Sequence, residues 1–190
     1  TAAQREAGCL IVLGSGMPVP DPERAGPAYA FEYRGQVLLF DAGAGVMRRV
    51  AAAGLPIDGF AGVFLTHLHS DHTLGLPDVL LTTWVMGRRT PMNVRGPQGT
   101  ERLAQGILSA WQEDIAVRTD GLERGQRGGE RVKVQPIDSA GGLVYDSLGL
   151  RVTAIPVPHG EWKSAFGYLI ETPTRRVLLS GDAAPSAALE

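Results

Sequence analysis

The stretch Thr66-His67-Leu68-His69-Ser70-Asp71-His72-Thr73-Leu74-Gly75-Leu76-Pro77 constrains this chain more than any other. The run before it, Gly62-Val63-Phe64-Leu65, is short, branched and aromatic, and reads as a buried strand. Three imidazoles and a carboxylate then fall between positions 67 and 72. In an extended segment the side chains of residues i and i+2 share a face, so His67 and His69 can grip one cation. On a helix they would point apart, which places them on the loop leaving the strand. Asp71 and His72 follow where a turn can aim them at a second ion. The whole chain has 4 histidines, so three of them meeting here by chance on a polar loop is the weaker reading. Imidazole and carboxylate are the donors that borderline divalent metals such as zinc prefer.

At 190 residues the chain is expected to form one domain, 1–190, long enough to bury a core. Its net charge of −2 provides no basic field, and on that ground nucleic acid is an unlikely partner. The single Cys9 cannot form an internal disulfide and leaves the redox compartment open. No apolar stretch approaches membrane-spanning length, so no membrane partner is expected. The chain opens at Thr1 with no signal peptide visible, and both a cytoplasmic and an exported location stay open, as does a homo-oligomeric state.

Along the chain, Cys9-Leu10-Ile11-Val12-Leu13 reads as a first strand stopped by Gly14-Ser15-Gly16, with a proline-rich loop after it that reaches Arg24 and Pro27. Residues 28–33 and 36–40 form a predicted hairpin about Arg34-Gly35. Asp41 then ends a strand and opens a helix through Val50, where capping is its ordinary role. Pro77 suits the first turn of a helix running towards Met86, with Trp84 and Met86 expected in the core. A strand near Val94 leads to an amphipathic helix carrying Leu103, Ile107, Leu108 and Trp111 on one side. Residues 119–131, with their glycines and mixed charges, read as a solvated loop. Further on, a strand runs to Ile155 and prolines extend the chain up to His159; a last hairpin ends in Gly181-Asp182. Repeated strand–loop–helix units predict a layered α/β fold.

Written as His-x-His-x-Asp-His, the central stretch resembles the metal-binding signature of the metallo-β-lactamase-fold hydrolases. The Gly-Ser-Gly, proline-rich loop and arginine after the first strand are similar to the opening of its ribonuclease-Z-like and arylsulfatase-like branch. The resemblance implies a four-layer α-β-β-α sandwich with two divalent metal ions, zinc foremost and manganese or iron as alternatives. It implies that His67, His69 and His159 hold one ion while Asp71, His72 and Asp182 hold the other, Asp182 bridging and Asp71 also orienting the attacking water. It gives Asp41 a supporting hydrogen bond beneath the metal loop and lets Arg24 face the substrate. Two such ions share a water and lower its pKa to about 7, so no serine or cysteine nucleophile is needed.

The sequence departs from the family in carrying no histidine after His159, where dinuclear members place one more ligand, and in having Ala183 where threonine is common. The expectation is a fragment lacking the C-terminal part of the domain. The function implied is hydrolysis of small phosphate or sulfate esters. The alternatives are tRNA 3′ processing and an inactive metal-binding relative. Small esters lead because the interval 160–181 leaves no room for the flexible arm with which ribonuclease Z relatives hold tRNA.

Overall fold

The computed structural model describes residues 7–121 and 127–186. Among these residues ten strands form two sheets. The first has the order β1 (Cys9–Gly14), β2 (Ala28–Tyr33), β3 (Gln36–Phe40), β4 (Phe60–Phe64), β5 (Met92–Gly96) and β6 (Val132–Pro136). Its first three strands are antiparallel neighbours, whereas β3 through β6 run parallel. Parallel neighbours need crossovers, and helices supply them. These are α1 (Val46–Ala52) before β4, α2 (Ser70–Thr73) and α3 (Leu76–Val85) before β5, and α4 (Thr100–Ala110) and α5 (Gln112–Asp120) before β6. The second sheet is wholly antiparallel, ordered β10 (Arg176–Leu179), β9 (Phe166–Glu171), β8 (Leu150–Pro156), β7 (Gly142–Ser147).

The two-residue period of the strands builds two cores from one sheet. In β3, Val37 and Leu39 face the helices, packing with Val46 and Val50 of α1 and Val79 of α3. Leu38 and Phe40 face the other way and meet Leu150, Val152, Phe166 and Tyr168 of the second sheet. Strand β4 divides likewise, with Val63 outward and Phe64 inward. The inner layer is aromatic: Phe40 stacks on Phe64 with centroids 5.0 Å apart, and Tyr168 meets Phe64 edge-on at 5.8 Å. Helices thus cover one face of the first sheet, and the second sheet covers the other. Three of the four expected layers, α-β-β, are present among the described residues. On the outer face of the second sheet Leu143 and Leu178 stand exposed.

Two core expectations are corrected. Met86 is 57% exposed and Trp111 42% exposed, while Trp84 is fully buried. Both exposed residues follow the last turn of a helix, where the apolar stripe has rotated off the sheet. The loop expected over 119–131 begins later than its composition suggests, because α5 runs on to Asp120; the part at 122–126 lies outside the described residues. No residue of α5 is buried, so it offers no apolar stripe to read; an Arg118–Asp114 pair at 2.9 Å, one turn apart, supports it instead.

Strand direction places the functional residues. The parallel strands β3 and β4 end at one edge, and Asp41 and His67 follow them directly. In the second sheet β8 and β10 are both antiparallel to β9, hence parallel to each other, and lead to His159 and Asp182. The sheets are stitched at this edge by Phe166 N–H donating to the Thr66 carbonyl at 2.9 Å and the Tyr168 hydroxyl to the Leu65 carbonyl at 2.7 Å. In open parallel sheets the carboxyl ends of strands are where ligands sit. Phe64 anchors this docking, and Phe64→Ala is expected to cost about 3–5 kcal/mol through lost contact and residual cavity. Urea denaturation measures it, and a loss below about 1 kcal/mol would show that the inter-sheet core does not depend on this ring.

Candidate metal centre

The loop leaving β4 is tied down by Asp41. Its backbone sits at a φ of 56°, a left-handed conformation unusual for a non-glycine residue. That turn points its carboxylate back under the loop. Oδ1 accepts the Thr66 backbone N–H at 2.8 Å, and Oδ2 accepts the Thr66 hydroxyl at 2.9 Å. Oδ2 also lies 2.8 Å from Nδ1 of His72. Burial pushes the Asp41 carboxyl above its usual range, and the hydrogen bonds from His72 and Thr66 pull it back.

These bonds determine which imidazole nitrogens are free. Thr66 has one hydroxyl proton and gives it to Asp41, so its Oγ1 accepts from Nδ1 of His67, 2.9 Å away. His67 therefore turns an unprotonated Nε2 to the site. Burial first, and neighbouring imidazoles second, lower its pKa to about 3, keeping it a neutral donor. His72 gives its Nδ1–H to Asp41 and turns Nε2 inward in the same way. Burial alone would lower His72, but Asp41, Asp182 and Asp71 outweigh it and hold the ring above its ordinary value. The carboxylates that favour a proton on that Nε2 favour a cation there equally.

Two groups of three result. His67, His69 and His159 bring one nitrogen each within 4.8 Å of one another, and His67, His72 and Asp182 do the same with two nitrogens and an oxygen. In the first group Nδ1 of His69 lies 2.9 Å from Nε2 of His67 and 3.1 Å from Nε2 of His159. In the second, Nε2 of His72 is 3.4 Å from Asp182 Oδ1; it is buried and has no hydrogen-bond partner among the described residues. Converging lone pairs and an orphaned buried nitrogen fit divalent cations, and the geometry accepts the group the resemblance implies. Asp71 stands to one side, its Oδ2 3.7 Å from Nε2 of His72. Arg24 lines neither flanking cavity; its Nε lies 3.8 Å from Asp21 Oδ2 and its side chain is 64% exposed.

Sequence reasoning passed over two residues. Thr66 looks like any threonine at a strand end, and only its hydroxyl's position between Asp41 and His67 reveals its part. Trp162 follows His159 through a tight turn, its backbone N–H donating to the His159 carbonyl at 3.0 Å with Gly160 at a φ of 52°. Its indole N–H donates to Nε2 of His69 at 2.7 Å. A neutral imidazole cannot accept there and also ligate through Nδ1, so metal ligation by His69 turns this indole N–H away.

A family described as the beta-lactamase superfamily domain matches residues 36–189. A ribonuclease Z of Mycobacterium marinum is 35% identical over 184 residues, which is 95% of this chain and 65% of that protein. A ribonuclease Z of Mycolicibacterium paratuberculosis is 36% identical over the same shares. The chain therefore spans 65% of the length of these curated relatives. Among solved structures, the short form of human tRNase Z superposes with a TM-score of 0.70 at 23% identity, over 90% of this chain and 68% of that one. A metallo-beta-lactamase fold protein from Bacillus subtilis gives 0.67 at 15% identity, over 90% and 61%. Those two likenesses show the fold.

The relatives' names correct one expectation. Nucleic acid was an unlikely partner on net charge, yet these proteins are named for acting on RNA. Net charge sums over the whole chain, whereas a phosphate meets a local field, and cations bound in a site supply positive charge that no residue count includes.

Asp41 can be tested apart from the ligands it supports. An amide in its place keeps the shape but turns one donor against another. Asp41→Asn is expected to weaken zinc binding by about 10–100-fold with the circular dichroism spectrum unchanged. Competition against a chromophoric chelator measures this, and unaltered affinity would show that the hydrogen-bond chain does not prepare the histidines.

Proposed function

Because this chain belongs to the beta-lactamase superfamily, we propose that it serves a metal-dependent phosphodiesterase acting on RNA, with the 3′ trailer of precursor tRNA as substrate. The observation that carries the reading is that two three-residue groups meet at His67, so that donors for two cations lie next to each other, with the one free nitrogen of His67 serving the first. Zinc suits the donor set of four imidazoles and a carboxylate. The substrate class comes from the ribonuclease Z relatives.

In this mechanism His67, His69 and His159 would hold one ion, and His72 and Asp182 would hold the other. When bound, the pair supplies an activated water and draws charge from the phosphoryl oxygens. Asp41 and Thr66 keep the His67 and His72 rings turned with Nε2 inward, so the donors need no rearrangement as charge develops. Asp71, 3.7 Å from His72 and largely buried, receives the proton of the attacking water. The oxygen of that water bonds to phosphorus as the bond to the leaving oxygen breaks, and that oxygen takes a proton from solvent.

Small phosphodiesters form a second reading, favoured by one observation. The 22 residues of 160–181 are used up by the turn after His159, β9 and the hairpin into β10. No segment there reaches out to hold a tRNA body.

The test is a side-by-side assay of precursor tRNA and an aryl phosphodiester with zinc or manganese supplied. Cleavage of the 3′ trailer is expected. His69→Ala should lower it by more than the about 10–100-fold that loss of a residue supporting a ligand costs, with the fold intact. Turnover of the aryl ester with precursor tRNA untouched would move the assignment to the second reading, and unchanged activity in His69→Ala would reject metal-dependent hydrolysis here.

A further inference from the structure

Among the described residues two cavities flank the histidine cluster, and they differ in chemistry. On the His72 and Asp182 side lies a small polar one of about 240 Å³, walled by Ser15, Tyr29 and Ser180. On the His69 and His159 side opens a larger cleft of about 1150 Å³, between the start of α4 and the turn that follows His159. A substrate whose scissile group sits at the cluster must send one of its arms into this second space.

The walls of the cleft say what kind of arm. Trp162 stands at its inner end, its ring centroid 5.0 Å from that of His69, and is 37% exposed. The charges along the walls cancel: Arg102 and Lys163 are matched by Glu101 and Glu161. A cleft built to follow a phosphate backbone carries a surplus of cations; this one does not. It offers instead a partly exposed indole and the amide of Gln98, a donor and an acceptor together. A flat, uncharged ring with hydrogen-bonding edges answers both features, and among the parts of an RNA chain only the base fits that description.

We propose that this cleft is a nucleobase subsite and that Trp162 is its stacking platform, the specificity-determining residue for the nucleotide next to the scissile phosphate. The proposal rests on the phosphodiesterase reading above. The turn from His159 to Trp162 gives the placement a physical basis, because one short segment presents both a candidate ligand and the ring. A base stacked on the indole is thereby kept near the candidate ligands, because the backbone turn ties Trp162 to His159 whether or not the indole N–H is engaged. The single hydrogen bond of the indole goes to His69, and ligation through Nδ1 of His69 dissolves it, leaving the ring face as what Trp162 contributes to the cleft.

The experiment compares two probes on the zinc-loaded chain by calorimetry: adenosine 5′-monophosphate and ribose 5-phosphate, which differ only in the base. Wild type is expected to prefer the nucleotide by about 10–100-fold, the worth of one base–aromatic stack. Trp162→Leu should bring the two affinities together, mainly by weakening the nucleotide, while ribose 5-phosphate binds as before. Trp162→Phe keeps a ring but no N–H, and should retain most of the preference; a hydrogen-bonding or merely structural role would instead make it behave like the leucine variant. A preference that survives in Trp162→Leu, or is absent from wild type while ribose 5-phosphate still binds, overturns the subsite and leaves the phosphodiesterase reading standing. If neither probe binds the zinc-loaded chain, the phosphoester reading and the subsite fall together.

Discussion

One buried carboxylate organises the metal loop. Asp41 accepts a backbone N–H and a hydroxyl from Thr66 and an imidazole N–H from His72, and through Thr66 it reaches His67 as well. Two histidines from different parts of the loop thus take their orientation from one residue just past the end of the neighbouring strand. The arrangement has a cost: the residue is 1% exposed, and its backbone holds a left-handed φ of 56°. Strain of that kind persists only where surroundings overdetermine it. Here they do, since the Asp41 N–H donates to the Phe64 carbonyl and ties the turn to the end of β4.

The aromatic layer between the sheets does the rest of the positioning. His67, His69 and His72 come from the first sheet's edge, while His159 and Asp182 come from the second. They meet because Phe40, Phe64 and Tyr168 fix how the sheets dock. Near this edge backbone must approach backbone closely, and Gly181 marks the place: a β-carbon there would come 3.1 Å from that of Thr66, at a φ of 59° that side chains rarely adopt. The glycine before Asp182 is therefore part of how that carboxylate reaches the cluster.

How much of this a reader of the sequence could see depended on the range of each signal. The short, branched and aromatic run of β4 and the hairpin about Arg34-Gly35 are local signals, and the structure forms both; the spacing of His67 and His69 is local too, and the structure brings the two rings together. His159 and Asp182 lie far away in sequence; no spacing argument joins them to His67, and only a resemblance brought them in. Thr66 and Trp162 carried no signal, because a threonine and a tryptophan are ordinary until their neighbours are known. Met86 and Trp111 were misjudged for the opposite reason, a true helical pattern followed one step past the helix end. The solvated helix α5 buries nothing and so left no apolar stripe to find. Net charge was a poor ground for setting nucleic acid aside, because it averages over distances that a phosphate never samples.

The origin of the ligands in two sheets gives a bound cation a second role, as a rivet. Each three-residue group takes members from both layers: His67 and His69 with His159, and His67 and His72 with Asp182. An ion held by either group fastens one sheet to the other at the edge where Phe166 and Tyr168 already stitch them. Such an ion recognises the docked arrangement and not the separated sheets, so its binding free energy adds to the cohesion of the sandwich. Scarcity of metal would then be felt mechanically as well as chemically. The docking that would feel it is the one that presents His159, and with it the tryptophan three residues on.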